Sequence, residues 1–308
     1  MQQQALRDFS QATAAFFDRH NPADRPSWRK AGRNEGFRIV GRRGHKWDVR
    51  WSRLVPPGVK SYRVTMDRAG RWHVAFAAIP KPLTAPGNGQ IVGVDRGVAV
   101  SAALSTGELL RVPHPGTHEH KRVLRLQRRL ARAKRGSNRR RRVRLTLARL
   151  KARQADRRKD WAEKISTDLA RRFDLIRVED LDVKSMTRSA RGTPQEPGRN
   201  VRQKAGLNRS IRASGWGGLV RRMYDKAPGR VEKIRPAFTS QRCSVCGHVA
   251  AESRKSQALF ACVACNFTLN ADVNAARNIA AGHAVTARGG DGVTRPRNRE
   301  PQLLLPPV

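Results

Sequence analysis

Residues 235–279 read RPAFTSQRCSVCGHVAAESRKSQALFACVACNFTLNADVNAARNI, and all four cysteines of the chain lie within them. Cys243-Ser-Val-Cys246 and Cys262-Val-Ala-Cys265 form two C-x-x-C pairs, with residues 247–261 between them. Two thiolates two residues apart converge on one face of a tight turn, and two such turns facing each other close a tetrahedron around a borderline-soft cation. Zinc is the first choice for a spacing of this kind; an iron site in the same cage or a redox dithiol are the alternatives it leaves open. Four protein ligands leave a bound metal no vacant position, so the site is structural and any chemistry lies elsewhere. Directly after the second pair, Asn270-Ala271-Asp272-Val273-Asn274-Ala275-Ala276 starts an Ala-rich helix with an acid in its first turn. Taken alone, Asp272 reads as a helix cap.

Charge narrows what such a protein can touch. The 308 residues hold 64 Lys+Arg against 24 Asp+Glu, a formal net charge of +40. A surplus of that size makes a polyanion the default partner. No run approaches the roughly 18 apolar residues of a membrane helix, so DNA or RNA is expected rather than a bilayer. The start, MQQQALRDFSQ, lacks a signal-peptide pattern, and the cysteines are assigned to one metal site. A cytoplasmic protein, attached to the nucleoid through DNA, is the expectation.

Working back from the ribbon, residues 1–36 open with an amphipathic helix in which Leu6, Phe9, Ala12, Thr13, Phe16 and Phe17 share a face until Asn21-Pro22 stops it. A lone short helix cannot bury its own stripe. Residues 37–80 alternate apolar and polar in four expected strands, 37–40, 46–51, 62–66 and 71–79, with a hairpin turn at 67–70. That is a small antiparallel sheet or partial barrel, whose Arg, Lys and Trp suit either nucleic-acid contact or an ordinary solvated face. Residues 80–89, rich in Pro and Gly, read as a linker and domain boundary.

From residue 90 an apolar strand ends at Asp95, Arg96-Gly97 permits a bend, a second strand reaches Leu104, and a third covers 108–112. Residues 119–173 predict a helical hairpin broken at Gly136-Ser137-Asn138. Its segment 119–160 holds 19 lysines and arginines against three acids. Arg139, Arg140, Arg141 and Arg142, with Arg128 and Arg132, are the candidate nucleic-acid contacts; the bland alternative is a solvated helix face. A buried strand over 173–181 carries Glu179 at its end. Residues 184–206 read as a mobile loop, 211–226 as a helix, 230–234 as a last strand and 283–308 as a disordered tail.

Residues 90–282 thus run β-β-β-α-β-α-β, then the ribbon (236–270), then α, the order of an RNase H-like α/β fold with a zinc ribbon inserted before its last helix. In that fold the ends of the first and fourth strands and the start of the last helix converge. Those positions are Asp95, Glu179 and Asp272. Three carboxylates brought together repel unless cations lie among them, and two magnesium ions would satisfy them while activating water for phosphodiester cleavage.

The blocks VGVDRG (92–97), VEDL (178–181), FTSQRCSVCG (238–247) and DVNAARNI (272–279) resemble, in order and spacing, the TnpB (OrfB) family of bacterial insertion sequences. The resemblance covers about residues 1–285. It implies an RNA-guided, RuvC-like DNA endonuclease related to type V CRISPR effectors, with a noncoding guide RNA and target DNA as partners and a wedge-like β-barrel preceding the nuclease. Carried over, Asp95, Glu179 and Asp272 become the magnesium-binding catalytic triad and Cys243, Cys246, Cys262 and Cys265 the zinc ligands. Two departures stand out. Relatives usually carry a further strand and helix before the first helix of this chain, so a truncated recognition half is expected; and Arg96 stands where many of them have an apolar residue. Two other functions compete with guided cleavage: a nucleic-acid-binding remnant or repressor without useful cutting, and a transposase joining DNA ends with the same triad.

Overall fold

In β4 (Ile91–Asp95) the alternation of side chains sets the architecture. Val92 and Val94 are fully buried on one face, while Gly93 and Asp95 point to the other. The computed structural model describes residues 2–18, 36–40, 59, 61–78 and 80–282. Among these, β4 is the middle strand of a five-stranded sheet, flanked by β5 (Ala102–Leu104) and β6 (Leu109–Leu110) on one side and by β7 (Leu175–Glu179) and β8 (Val231–Ile234) on the other. β4, β5 and β6 pair antiparallel through short turns. β7 and β8 add in parallel, with Val94 opposite Val178. Parallel neighbours require long crossovers, and helices supply them.

The first crossover is a helical hairpin, α2 (Thr117–Arg132) and the 35-residue α3 (Asn138–Arg172). Gly136, at φ 83°, makes the reversal between them, and Ser137 caps α3 by accepting from the Arg140 backbone amide. The first half of α3 packs its apolar stripe on α2, through Leu126, Val143, Leu147 and Leu150. Its second half joins the main core, where Trp161, Leu169 and Phe173 meet Val92, Val94, Ile176 and Val178 from the sheet. The second crossover is α4 (Val183–Met186), α5 (Val201–Ala213) and α6 (Trp216–Lys226), with Leu219 and Met223 of α6 fully buried in that same core.

The opposite face of the sheet is covered by α7 (Ala271–Ala281), which buries Ala275, Ala276 and Ile279. The approach is close enough that a Cβ on Gly93 would stand 2.0 Å from the Ala276 carbonyl oxygen and 2.4 Å from the Ala280 amide nitrogen. Only glycine leaves that room. Between β8 and α7 lies the ribbon, built on β9 (Leu259–Ala261) and β10 (Thr268–Asn270).

Upstream, β1 (Gly36–Val40), β2 (Ser61–Met66) and β3 (Trp72–Phe76) form a three-stranded antiparallel sheet. The β2–β3 turn is tied by Asp67, which accepts from the Ala69 and Arg71 amides. Arg71 and Asp156 then join the turn to α3, and Arg149 donates to the Ala69 carbonyl. α1 (Gln2–Phe17) forms as its periodicity predicts, with Leu6 and Phe17 left 67% and 74% exposed.

Several expectations need correction. The strand over 98–104 is regular only at 102–104. Residues 80–89 are no free linker: the Gly87 and Gly89 amides donate to Asp174, the Leu83 amide donates to the Lys226 carbonyl, and the Arg230 guanidinium donates to the Leu83 carbonyl. The helix expected over 211–226 is two helices, broken at Gly215 (φ 73°). Its first half starts at Val201, inside the stretch read as a mobile loop, because Asn208 and Lys204 donate to the carbonyls of Thr187, Arg188 and Met186 and fasten it down. The strand expected at 46–51 and the tail 283–308 lie outside the described residues. No described helix is long and apolar enough to cross a membrane.

Candidate functional site

The two C-x-x-C turns are built alike. In the first, Cys243 N–H donates to the His248 carbonyl and Gly247 N–H to the Cys243 carbonyl, with Gly247 at φ 77°. The second repeats this with Cys262 to Phe267 and Asn266 to Cys262, Asn266 taking φ 57°. Each turn therefore needs a left-handed residue directly after its second cysteine, and Gly and Asn tolerate that best. The four sulfurs lie within 4.8 Å of one another, with Cys243–Cys265 at 3.8 Å and Cys246–Cys262 at 3.6 Å. A tetrahedron with zinc–sulfur bonds near 2.3 Å has edges of about 3.8 Å, so the quartet has the dimensions that zinc requires. Burial pushes the Cys262 thiol up, but amide donation from Cys265 and Ala264 and contact with the neighbouring sulfurs outweigh it and bring it down to about 6. A thiolate is thus available at this position near neutral pH.

The carboxylates come from three distant segments. Asp95 ends β4 and Glu179 ends β7, so parallel pairing puts them side by side at the carboxyl edge of the sheet. Alternation puts both on the face that α7 covers. Arg177, two residues before Glu179 on that same face, donates to the Ala280 carbonyl at the end of α7. Asp272 sits in the first turn of α7, and it is not the cap. Asn270 caps the helix instead, its side chain accepting from the amides of Asp272 and Val273. The Asp272 carboxylate faces Arg254 at 3.4 Å and is 17% exposed. Burial raises its pKa above the ordinary carboxylate value, and Arg254 pulls in the other direction.

Glu179 is itself buried, with Oε1 accepting from the Thr239 hydroxyl at 2.6 Å. Arg96 is buried beside it and donates to the Glu179 carbonyl. Burial pulls the Arg96 pKa down while Glu179, Asp95 and Asp180 hold it up. The departure at position 96 therefore places a fixed positive charge among the acids. Among the described residues only the cysteines close to mutual ligand spacing; Asp95, Glu179 and Asp272 stay further apart. Carboxylates that share two ions a few ångströms apart do not need all three on one centre.

On the hairpin, Arg122, Arg125 and Arg129 of α2 and Arg142 of α3 line an open groove with Leu126, Val143 and Thr146 as its floor. The arginine run is not uniform. Arg140 is engaged in donating to the Leu130 and Ala133 carbonyls, closing the end of α2, while Arg139, Arg141, Arg128 and Arg132 are exposed. The reading from sequence missed Arg122, Arg125 and Arg129, although their spacing of three and four residues already puts them on one helix face. It also missed Gly93, Thr239 and Arg254, which become significant only once the sheet, α7 and the ribbon are placed together.

Fold and site together define a mixed α/β protein with a four-cysteine cluster at metal-binding spacing beside an acidic sheet edge. Residues 73–190 match the model of a family, OrfB of IS605-type elements, described as “Probable transposase”, and residues 216–279 match “Cas12f1-like, TNB domain”. Aligned over 98% of this chain and 79% of its own length, the Escherichia coli (strain K12) “Putative RNA-guided DNA endonuclease InsQ” is 39% identical. A “Putative RNA-guided DNA endonuclease” of Streptomyces pristinaespiralis is 31% identical over 94% of this chain and 73% of its own. Among solved structures, a Cas12f1–sgRNA–target DNA complex aligns with 72% of this chain and 45% of that chain, at a TM-score of 0.44 and 20% identity. The chain belongs to the OrfB (TnpB) family.

Proposed function

We propose that the protein is a transposon-encoded, RNA-guided DNA endonuclease, in which residues 90–282 form an RNase H-like, RuvC-type nuclease, 236–270 its inserted zinc ribbon, 37–80 a wedge-like β unit and 1–36 part of a recognition segment. The observation that carries this is the pairing of β4 with β7: it sets Asp95 and Glu179 side by side on the face of α7, whose first turn holds Asp272. The sheet order, with β4 between an antiparallel pair and a parallel pair, supports the same reading. Asp95, Glu179 and Asp272 are the proposed catalytic carboxylates and the ligands for magnesium. Held by these carboxylates, divalent cations would supply an activated water and charge stabilisation for the leaving 3′ oxygen. The chain's own contributions are positional: strand ends fix Asp95 and Glu179, the Thr239 hydroxyl orients Glu179, and the ribbon shields Asp272 from water. Zinc in the cysteine quartet is structural.

The arginine groove of α2 and α3 is proposed to hold phosphates of the guide RNA or target DNA, with attraction that weakens as added salt lowers the entropy gained on releasing counterions. A protein acting on cellular DNA in this way works in the cytoplasm. The family description as a transposase keeps strand transfer as the second reading, since it uses the same carboxylates. Sequencing the RNA that co-purifies with the protein, then supplying matching DNA and Mg2+, tests the proposal. A defined noncoding RNA and guide-dependent cleavage are expected. End-joining without any RNA would overturn it.

A further inference from the structure

The ribbon touches the acidic edge at more points than a passive insertion needs. Thr239, four residues before Cys243, donates to Glu179, and Arg254, from the segment between the two turns, faces Asp272. From the other side, α7 grips the first cysteine turn with two buried asparagines one helical turn apart. Asn274 donates to the Arg242 carbonyl at 2.7 Å and accepts from the Ser244 amide at 3.0 Å, bracketing Cys243. Asn278 donates to the Arg242 carbonyl at 2.7 Å and to the Thr239 carbonyl at 2.8 Å. Both are at most 2% exposed, so losing either side chain strands backbone groups in a dry interior. Phe238, just before Thr239, is held at φ 60° in the left-handed region. An aromatic residue stays there only where its surroundings dictate it, and such residues gather at sites of function.

We propose that Asn274 and Asn278 are positioning residues that make the first cysteine turn a brace for the carboxylates, so that zinc occupancy sets the placement of Glu179, through Thr239, and of Asp272, through α7. The proposal rests on the reading of Asp95, Glu179 and Asp272 as divalent-metal ligands. It gives the ribbon a task at the acidic edge: filling the sulfur cage fixes Arg242 and Ser244, and these fix the helix.

Mn2+ titrated into the full chain and followed by electron paramagnetic resonance is the probe, with zinc release to a chromogenic chelator measured in parallel. In the zinc-loaded protein, Asn278→Ala should weaken Mn2+ binding about tenfold or more, the usual cost of removing a group that orients metal ligands, and should speed zinc release. Stripping zinc from the unaltered protein should weaken Mn2+ binding by a similar factor and raise hydrogen exchange across 271–281. Because Asn278→Ala could compromise folding, Thr239→Val provides the milder arm. It should lower Mn2+ affinity while zinc retention stays unchanged, and Thr239→Ser should restore it. Mn2+ binding indifferent to Asp95→Ala would remove the carboxylate reading and this proposal together. Mn2+ binding that needs Asp95 but ignores Asn278→Ala, Thr239→Val and zinc removal would overturn the brace and leave the nuclease reading standing.

Discussion

The cysteine quartet and the carboxylate trio are both ligand sets, yet one is closed and the other open. The sulfurs sit at tetrahedral spacing, while Asp95, Glu179 and Asp272 hold apart at the sheet edge. Four sulfurs at tetrahedral spacing complete the shell of one ion, whereas ionised oxygens repel and hold apart, which suits them to cations shared with a substrate. A closed site contributes to folding and an open one to chemistry.

That contrast can be broken most decisively at the carboxylates. Replacing any one of Asp95, Glu179 or Asp272 by Ala should abolish guided cleavage to a similar extent in a nuclease assay, with nucleic-acid affinity retained, because ligands of shared metals fail together. One variant that still cuts would remove its residue from the set. At the cysteines the expected loss is of a different kind. Cys262→Ser should release zinc by elemental analysis and loosen the ribbon, visible as proteolysis within 243–265.

Gly93 sharpens the comparison because it serves the open site without holding anything. Gly93→Ala would drive a methyl group into the α7 backbone, and a loss of at least about 1–3 kcal/mol in denaturant unfolding is expected, the usual cost of overpacking, with cleavage lost alongside. Smaller still is the effect that separates metal ligand from cap at the start of α7. Asn270→Ala should cost ~1 kcal/mol, the value of an N-cap. Asp272→Asn should stabilise slightly, and only at neutral pH. Burial raises the folded-state pKa of Asp272, so the folded protein takes up protons that the unfolded chain does not; stability from this group is present in acid and falls as pH rises through that window. Asparagine removes this decline. A destabilised Asp272→Asn at pH 7 would show instead that the ion pair with Arg254 outweighs the cost of burial. The mildest change is at the groove: Arg122, Arg125 and Arg129 replaced by Gln should flatten the slope of log affinity against log salt by up to about three, where Arg140→Gln alone should leave it unaltered because that side chain is engaged by α2.

How much of this was legible in the residues follows from distance along the chain. The cysteine cage spans 243–265, and local spacing was enough. Strands ending in Asp95 and Glu179 could be read from apolar runs, and the order of elements through 90–282 matches the described ones. What spacing could not give was Thr239 reaching Glu179 across sixty residues, or Gly93 lying under α7, since both depend on how elements pack. Residues 201–210 were misjudged because their polarity hides the anchoring of Asn208, a polar side chain whose partners, Thr187 and Arg188, are backbone carbonyls. The cap reading open to Asp272 taken alone fails because Asn270, equally suited, holds the amides of Asp272 and Val273.

The long α3 is, mechanically, a beam on two supports. One end is rooted in the sheet core from Trp161 to Phe173, and the β2–β3 turn bears on it between Leu145 and Asp156. Beyond Leu145 the beam is cantilevered together with α2 and carries the arginine groove. At 1.5 Å per residue, Asn138 stands about 35 Å from Trp161, so a tilt of only ~5° about the rooted end moves the tip by about 3 Å. A load on the groove is therefore borne at the Asp67–Arg71 turn as well as at the sheet core.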